Sequence, residues 1–222
     1  MTTLTEGART AEFLVSEANG DRSREQITLK SGNNLPIGRV LATVITAQTI
    51  ASAAKSGGNT GNGTFTLDAT TPLLYGGKLG VYSLRCIAAA TNNGTFRLED
   101  PDGIVLGDIV MSGGAATVSE QIKGALADGA TDFAVGDGFD ITVSAITFKD
   151  VEFNPAGTDG SQIATGLLYK STDASSADQR AVSIRRSAEV NDNLVTWKSG
   201  TTTAQKAKGK QDLAKAAIIF RA

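Results

Sequence analysis

The sequence predicts a mainly β protein with one short C-terminal helix, interrupted by a small antiparallel β-sandwich or barrel. Three observations predict it. There are 25 glycines against 8 Phe, 3 Tyr and 1 Trp, a balance that favours many turns and short strands. Apolar residues alternate over short runs that are cut by Asn-Gly, Asp-Gly and Pro-Asp-Gly turn signals. Residues 51–63, ASAAKSGGNTGNG, are a low-complexity stretch of small residues that reads as a linker.

Residues 1–16 are mostly small and polar and read as a flexible N-terminal arm, with Phe13-Leu14-Val15 its one apolar patch. Asn19-Gly20 is a turn pair. Residues 25–30 alternate as a strand, with Ile27 and Leu29 on one face, and Ser31-Gly32-Asn33-Asn34 turns the chain. After Leu35-Pro36, residues 39–45 read as a strand. Beyond the linker, strands are expected at 64–68, 80–89, 94–99, 103–110, 115–123 and 138–148, divided by Gly, Asn and Asp turns. Residues 163–169 and 181–185 follow as strands, and 187–198 as a short helical turn leading to Trp197. Thr203 is the expected N-cap of a helix at 204–216, in which Gly209 costs about 1 kcal/mol. Residues 218–220 close the chain as a strand. The base is therefore 17–50 with 146–222, and the linker and inserted β domain are 51–145.

Composition excludes several chemistries. There is no histidine, so no Ser-His-Asp or Cys-His triad can form and the commonest metal ligand is missing. The lone Cys86 can make neither an intrachain disulfide nor a thiolate zinc cluster, and in VYSLRCIAAA it reads as a small buried hydrophobe. A disulfide-free chain suits folding in a reducing cytosol. The glycine-rich run 56–63 lacks the Gly-Lys-Ser/Thr that ends a phosphate loop. Asp100-Pro101-Asp102-Gly103 and the series Asp128, Asp132, Asp137 and Asp140 read as hairpin turns, since no complete calcium loop is present. No catalytic residue, metal ligand or cofactor site is therefore predicted. A formal charge of −2 gives no bulk attraction to nucleic acid or to an anionic membrane. The charge is uneven: residues 47–145 hold five Lys/Arg against ten Asp/Glu, and the rest sixteen against thirteen. The lysines at 198, 206, 208, 210 and 215 read as a solvated face, and Arg185-Arg186 as partners for Glu189. The N-terminus shows no basic-then-apolar signal, and no apolar run approaches ~18 residues.

An ordered series of segments resembles the head decoration proteins of tailed bacteriophages, the lambda type that cements a capsid from outside. They are Glu12-Phe13-Leu14-Val15-Ser16-Glu17-Ala18, Arg22-Ser23-Arg24-Glu25, and Ser31-Gly32 through Gly38-Arg39-Val40-Leu41. Asp159-Gly160-Ser161 through Gly166-Leu167-Leu168-Tyr169, then Ala188-Glu189-Val190, then Ala204-Gln205-Lys206 and Ile218-Ile219 complete the series. The insert, with Gly80-Val81-Tyr82 and Glu99-Asp100-Pro101-Asp102-Gly103, looks like a module that some of these proteins carry.

The resemblance implies a non-enzymatic virion protein with a β-clip-like base. It implies a homotrimer at three-fold and quasi-three-fold sites on the outer surface of an expanded head, stabilising it against internal DNA pressure. The expected partners are the major capsid protein and further copies of the chain, with no nucleic acid, membrane or cofactor. The protein is expected to be made in the host cytoplasm and to end on the virion. Thr10, Ala11, Glu12, Phe13, Leu14 and Val15 are the expected capsid-binding residues, with Phe13 and Leu14 as apolar anchors. A strand added to an exposed sheet edge would supply affinity through backbone hydrogen bonds. The insert should project outward as a spacer, or as a display module weakly binding host-surface glycans through Tyr75, Tyr82 and its phenylalanines. The alternative from another class is a two-module adhesin or carbohydrate-binding protein.

Overall fold

A computed structural model describes residues 9–19 and 21–221. The chain divides into two compact units, Met1–Val44 with Phe148–Ala222, and Ile45–Thr147. The first is called the base and the second the insert. The structure is mainly β, with one α-helix near the C-terminus.

The base is built on a closed five-stranded barrel. Strands β1 (Leu14–Glu17), β2 (Arg24–Leu29), β3 (Asn33–Leu35) and β4 (Val40–Ala54) enter it first. After the insert come the last residues of β11 (Gly138–Glu152), then β12 (Gly166–Leu168), β13 (Thr172–Ala174), β14 (Gln179–Ile184), β15 (Ala188–Asn191) and β16 (Ile218–Arg221). The barrel order is β2-β14-β12-β4-β11, with residues 40–44 of β4 and 148–152 of β11 contributing here. It closes where Asp150 of β11 pairs in parallel with Leu29 of β2. The Lys30 N–H donates to the Asp150 carbonyl at 2.8 Å across that seam. Closure matters because it leaves this sheet no free edge.

Successive side chains of a strand face opposite ways; along β12 and the base part of β4 both faces are buried, whereas β2 and β14 keep one face largely open. Ile27, Leu29, Leu41, Leu168 and Ala181 form one cluster, joined by Leu35 and Ala174 from the paired strands β3 and β13. Their neighbours Val40, Ala42, Leu167 and Ile184 form the other, which a second layer covers. That layer is the sheet β1-β15-β16 and helix α1 (Thr203–Ala214), through Phe13, Val190, Leu213 and Ile218.

Helix α1 starts at a capping box: the Gln205 N–H donates to the Thr202 hydroxyl, and the Thr202 N–H donates to Gln205 Oε1. The cap is thus Thr202, one residue before the expected Thr203. Gly209 has a structural reason to interrupt the helix. A β-carbon there would lie 2.7 Å from the Trp197 ring, which itself meets Phe153 edge-on at 5.7 Å. The glycine's cost in helix propensity therefore admits an indole ring against the helix backbone.

The insert holds β5 (Thr64–Leu67), β6 (Gly80–Ala90), β7 (Asn93–Glu99), β8 (Val105–Met111), β9 (Ala115–Ser119) and β10 (Lys123–Ala127), with the residues of β4 and β11 that fall within 45–147. One sheet is β5-β10-β9, and strands β11, β6, β7 and β8 neighbour one another in that order. Phe65, Val118 and Leu126 from the first meet Tyr82, Leu84, Phe96, Leu98, Phe139 and Ile141 from the second in one core. Phe96 and Phe133 pack edge-to-face at 5.0 Å within it. Cys86 is buried in the same core, where burial pushes its thiol up from the ordinary range.

Several elements differ from the sequence expectation, β1 standing in the expected arm and β3 beginning in the expected 31–34 turn. Strand β4 runs to Ala54, so part of the expected linker is strand, and the turn follows at 56–57. The expected strand 115–123 is a hairpin, β9 and β10, because the chain reverses at Glu120-Gln121, where the Glu120 N–H donates to the Ile122 carbonyl. Residues 188–191 form β15 rather than helix, with only Asp192–Leu194 a 3-10 turn.

Candidate functional site

The expected contact segment begins at Arg9 in the described residues. Thr10 through Phe13 form a turn in which the Ala11 N–H donates to the Tyr169 carbonyl at 3.1 Å and the Leu14 N–H to the Ala11 carbonyl at 2.9 Å. Ala11 adopts φ 61°, which sets this turn. The segment then enters β1, where Leu14 pairs with Val190, and the Asn191 N–H donates to the Phe13 carbonyl at 2.8 Å.

These bonds sort the six expected residues. Phe13 is 1% exposed and lies in the base core beside Gly38, whose β-carbon position is 3.4 Å from the Phe13 ring. Leu14 packs partly against the same core. The Phe13 side chain is not offered to a partner in this arrangement, and its buried ring pins the segment to the base, while Leu14 stays half-exposed beside it. Thr10 and Glu12 are exposed, Ala11 is half-buried, and Val15 is 55% exposed at a bulge in β1. The expected arm residues 1–8 lie outside the described residues.

β1 and β16 are the two edges of their sheet, so among the described residues each has one side without a strand partner. Charges hold the β1 end in place. Arg24 bonds both carboxylate oxygens of Glu17, which raises its pKa from the ordinary value, and its guanidinium lies 4.5 Å over the Tyr169 ring. Glu189 is taken by Arg221, and not by Arg185 or Arg186 as the sequence suggests. The strand register explains this: β15 carries Glu189 towards β16, whereas Ser183 of β14 lies opposite Glu25 of β2. Arg185 therefore meets Asp150 at 2.5 Å, and Arg186 meets Glu25. Thr43 and Thr165 complete the Arg185 network, the Thr43 hydroxyl donating to Asp150 at 2.8 Å.

The lysines of the C-terminal helix are partly engaged. Lys208 and Lys215 grip the buried Asp212 at 2.9 Å and 3.0 Å. Burial would raise the Asp212 pKa, yet these two cations outweigh it and hold the carboxyl below its usual range. Lys210 pairs with Asp192 and sits 5.1 Å over the Phe220 ring.

Two of the insert's acidic turns, at Asp100 and Asp137, serve the backbone. Asp100 accepts from the N–H groups of Asp102 and Ile104, both at 2.9 Å, and from Lys78. Asp137 accepts from Thr60, Gly61 and Ala134, each at 2.9 Å, and so ties the glycine-rich stretch to its own loop. Burial would raise the Asp137 pKa, but those three N–H groups more than offset it and lower the value. Among the described residues no group of three acidic or thiol side chains is placed to hold a metal ion. Of the insert's aromatic rings only Tyr75, 43% exposed, is open to solvent, so a sugar-stacking platform reduces to one ring. Among the described residues no helix is long and apolar enough to cross a membrane.

The family model for bacteriophage lambda head decoration protein D matches residues 3–218, nearly the whole chain and both of its units. The chain belongs to that family. Membership gives this decoration protein its role, decorating and stabilising a phage head from the capsid surface, within a family of structural proteins. Among curated protein sequences there is no match. Two crystal structures of Xanthomonas campestris FlgL, in space groups H3 and C2, align over 50% of the decoration protein and 33% of their own chains. Identities are 22% and 23% and TM-scores 0.32 and 0.31, and the decoration protein spans about a third of their length. A likeness of that size carries no argument.

Proposed function

We propose that the chain is a non-enzymatic cement protein whose β-clip-like base trimerises on the outer surface of an expanded head, at three-fold and quasi-three-fold sites. There it ties adjacent shell subunits together against internal DNA pressure. The observation that carries this reading is the family match over residues 3–218.

The N-terminal segment is the proposed attachment element, with Thr10 to Val15 its root. In this reading Thr10, Glu12 and Val15 face the shell subunit, while Phe13 and Leu14 hold the segment to the base. Pinning is useful for attachment: a load on the segment passes into the barrel core instead of into loose chain. The exposed edge of β1 supports strand addition, in which backbone hydrogen bonds to a shell strand supply affinity. Three such segments per trimer make attachment multivalent, so modest single contacts sum to tight cementing. The insert acts as an outward spacer.

Removing residues 1–12 tests the attachment element while keeping Phe13 in its core. The expected product is a folded trimer by light scattering whose co-sedimentation with undecorated expanded heads is weakened, the β1 edge being retained. Undiminished co-sedimentation by this truncation overturns the attachment element.

A further inference from the structure

Two concavities flank the β2–β14 ribbon of the base. The larger, about 780 Å³, is lined by Glu25, Thr43, Phe148, Asp150, Arg185 and Arg186 among others. The smaller, about 330 Å³, is lined by Thr10, Tyr169, Lys170, Thr172 and Val182. Gln26 and Arg180 line both and form the divide between them. The ribbon register supports this, with Gln26 opposite Val182 and Arg180 opposite Thr28.

The charges here are unevenly satisfied. Arg185 and Arg186 are neutralised by Asp150 and Glu25. Arg180 and Lys170 are both exposed, and among the described residues neither has an acidic side chain within ion-pair distance. Next to them stand apolar groups turned to water: Phe148 is 53% exposed and Val182 also lies open. A band that alternates unpaired cations with exposed apolar side chains is built for a partner that is acidic and partly apolar. Nucleic acid fits it poorly, because two exposed cations set among apolar side chains offer no continuous run of positive charge for a phosphate backbone.

The geometry points to this double groove as a second docking surface, which receives an acidic extended segment of the shell subunit. Arg180 and Lys170 pair with its carboxylates, and Phe148 and Val182 receive its apolar side chains. The inference rests on the proposed decoration role; the groove borders the N-terminal segment at Thr10, but neither cation belongs to that segment, so the two can be tested apart. Rim charges of this kind act on the association rate and give binding a steep salt dependence.

The test compares the full-length protein with Lys170→Glu/Arg180→Glu and with the charge-keeping pair Lys170→Arg/Arg180→Lys. Each is co-sedimented with undecorated expanded heads at about 50 mM and about 300 mM salt, conditions of weak and strong screening. The wild-type protein and the charge-keeping pair should bind, and bind less at high salt. The reversal should weaken binding about tenfold or more at low salt while its melting curve stays that of the wild type. Binding by the reversal equal to wild type overturns the groove and leaves decoration standing. A reversal that instead breaks up the oligomer assigns the groove to contact between copies and overturns it too. No binding by the wild-type protein at either salt overturns the groove together with the decoration role beneath it.

Discussion

Replacing Phe13 with alanine separates a pinned N-terminal segment from a mobile one. The ring is 1% exposed and shares a core with Ile37, Val40, Phe153, Val190, Leu213 and Ile218. Removing it leaves a hole among side chains drawn from the barrel, the second sheet and the helix, which cannot all collapse inward at once. Truncations of this kind cost about 3–5 kcal/mol, a large part of a stability of about 5–15 kcal/mol. At several degrees per kcal/mol, the base should melt about 10 °C or more below the wild type. Scanning calorimetry is the right assay, because it reads the unfolding midpoint and enthalpy directly. Val15→Ala, an exposed neighbour, should shift the same transition by no more than about 0.5 kcal/mol. A free arm predicts no effect from either change. If Phe13→Ala melts like the wild type, the pinned segment is wrong.

Three further outcomes follow from the packing. Gly209→Ala should destabilise the base by about 1–3 kcal/mol in a urea titration followed by Trp197 fluorescence, although helix propensity alone favours alanine by about 1 kcal/mol; a stabilised variant contradicts the Trp197 contact. Thr202→Ala removes the capping box and should cost about 1 kcal/mol by the same titration, and an unchanged midpoint argues against the cap. Asp137 has its pKa lowered in the folded state, so its contribution is present at neutral pH and is lost as pH falls below the ordinary carboxylate range through that lowered value. Asp137→Asn should flatten the acid dependence of the unfolding midpoint, and a wild-type acid profile in that variant excludes the loop tie.

Local pattern made much of this molecule legible. The alternation of Ile27 and Leu29, the turn signals of the insert and the cap-to-helix rhythm at the C-terminus all depend on neighbours in sequence. What stayed hidden depends on partners far along the chain. Barrel closure is a single parallel pairing of Leu29 with Asp150, and nothing near either residue announces it. Phe13 sits in a polar stretch that reads as loose, and only the remote β15 and β16 make it core. The β9–β10 turn uses Glu120-Gln121 without glycine, proline or asparagine, so it carried no signal. Residues 188–191 are strand because β1 and β16 flank them, which overrides local helical preference. The shared face of Arg180 and Lys170 escaped notice because one lies on β14 and the other in the bend after β12, and they come together only at a groove. The division of the expected capsid residues into a buried root and an exposed face needed the structure.

The central claim is that this chain binds a phage head from outside. The most direct measurement is co-sedimentation of the purified protein with undecorated expanded heads and, in parallel, with unexpanded shells. The account predicts saturable binding to expanded heads, in multiples of three copies per three-fold site, and little to unexpanded shells. A protein that stays in the supernatant with both contradicts it.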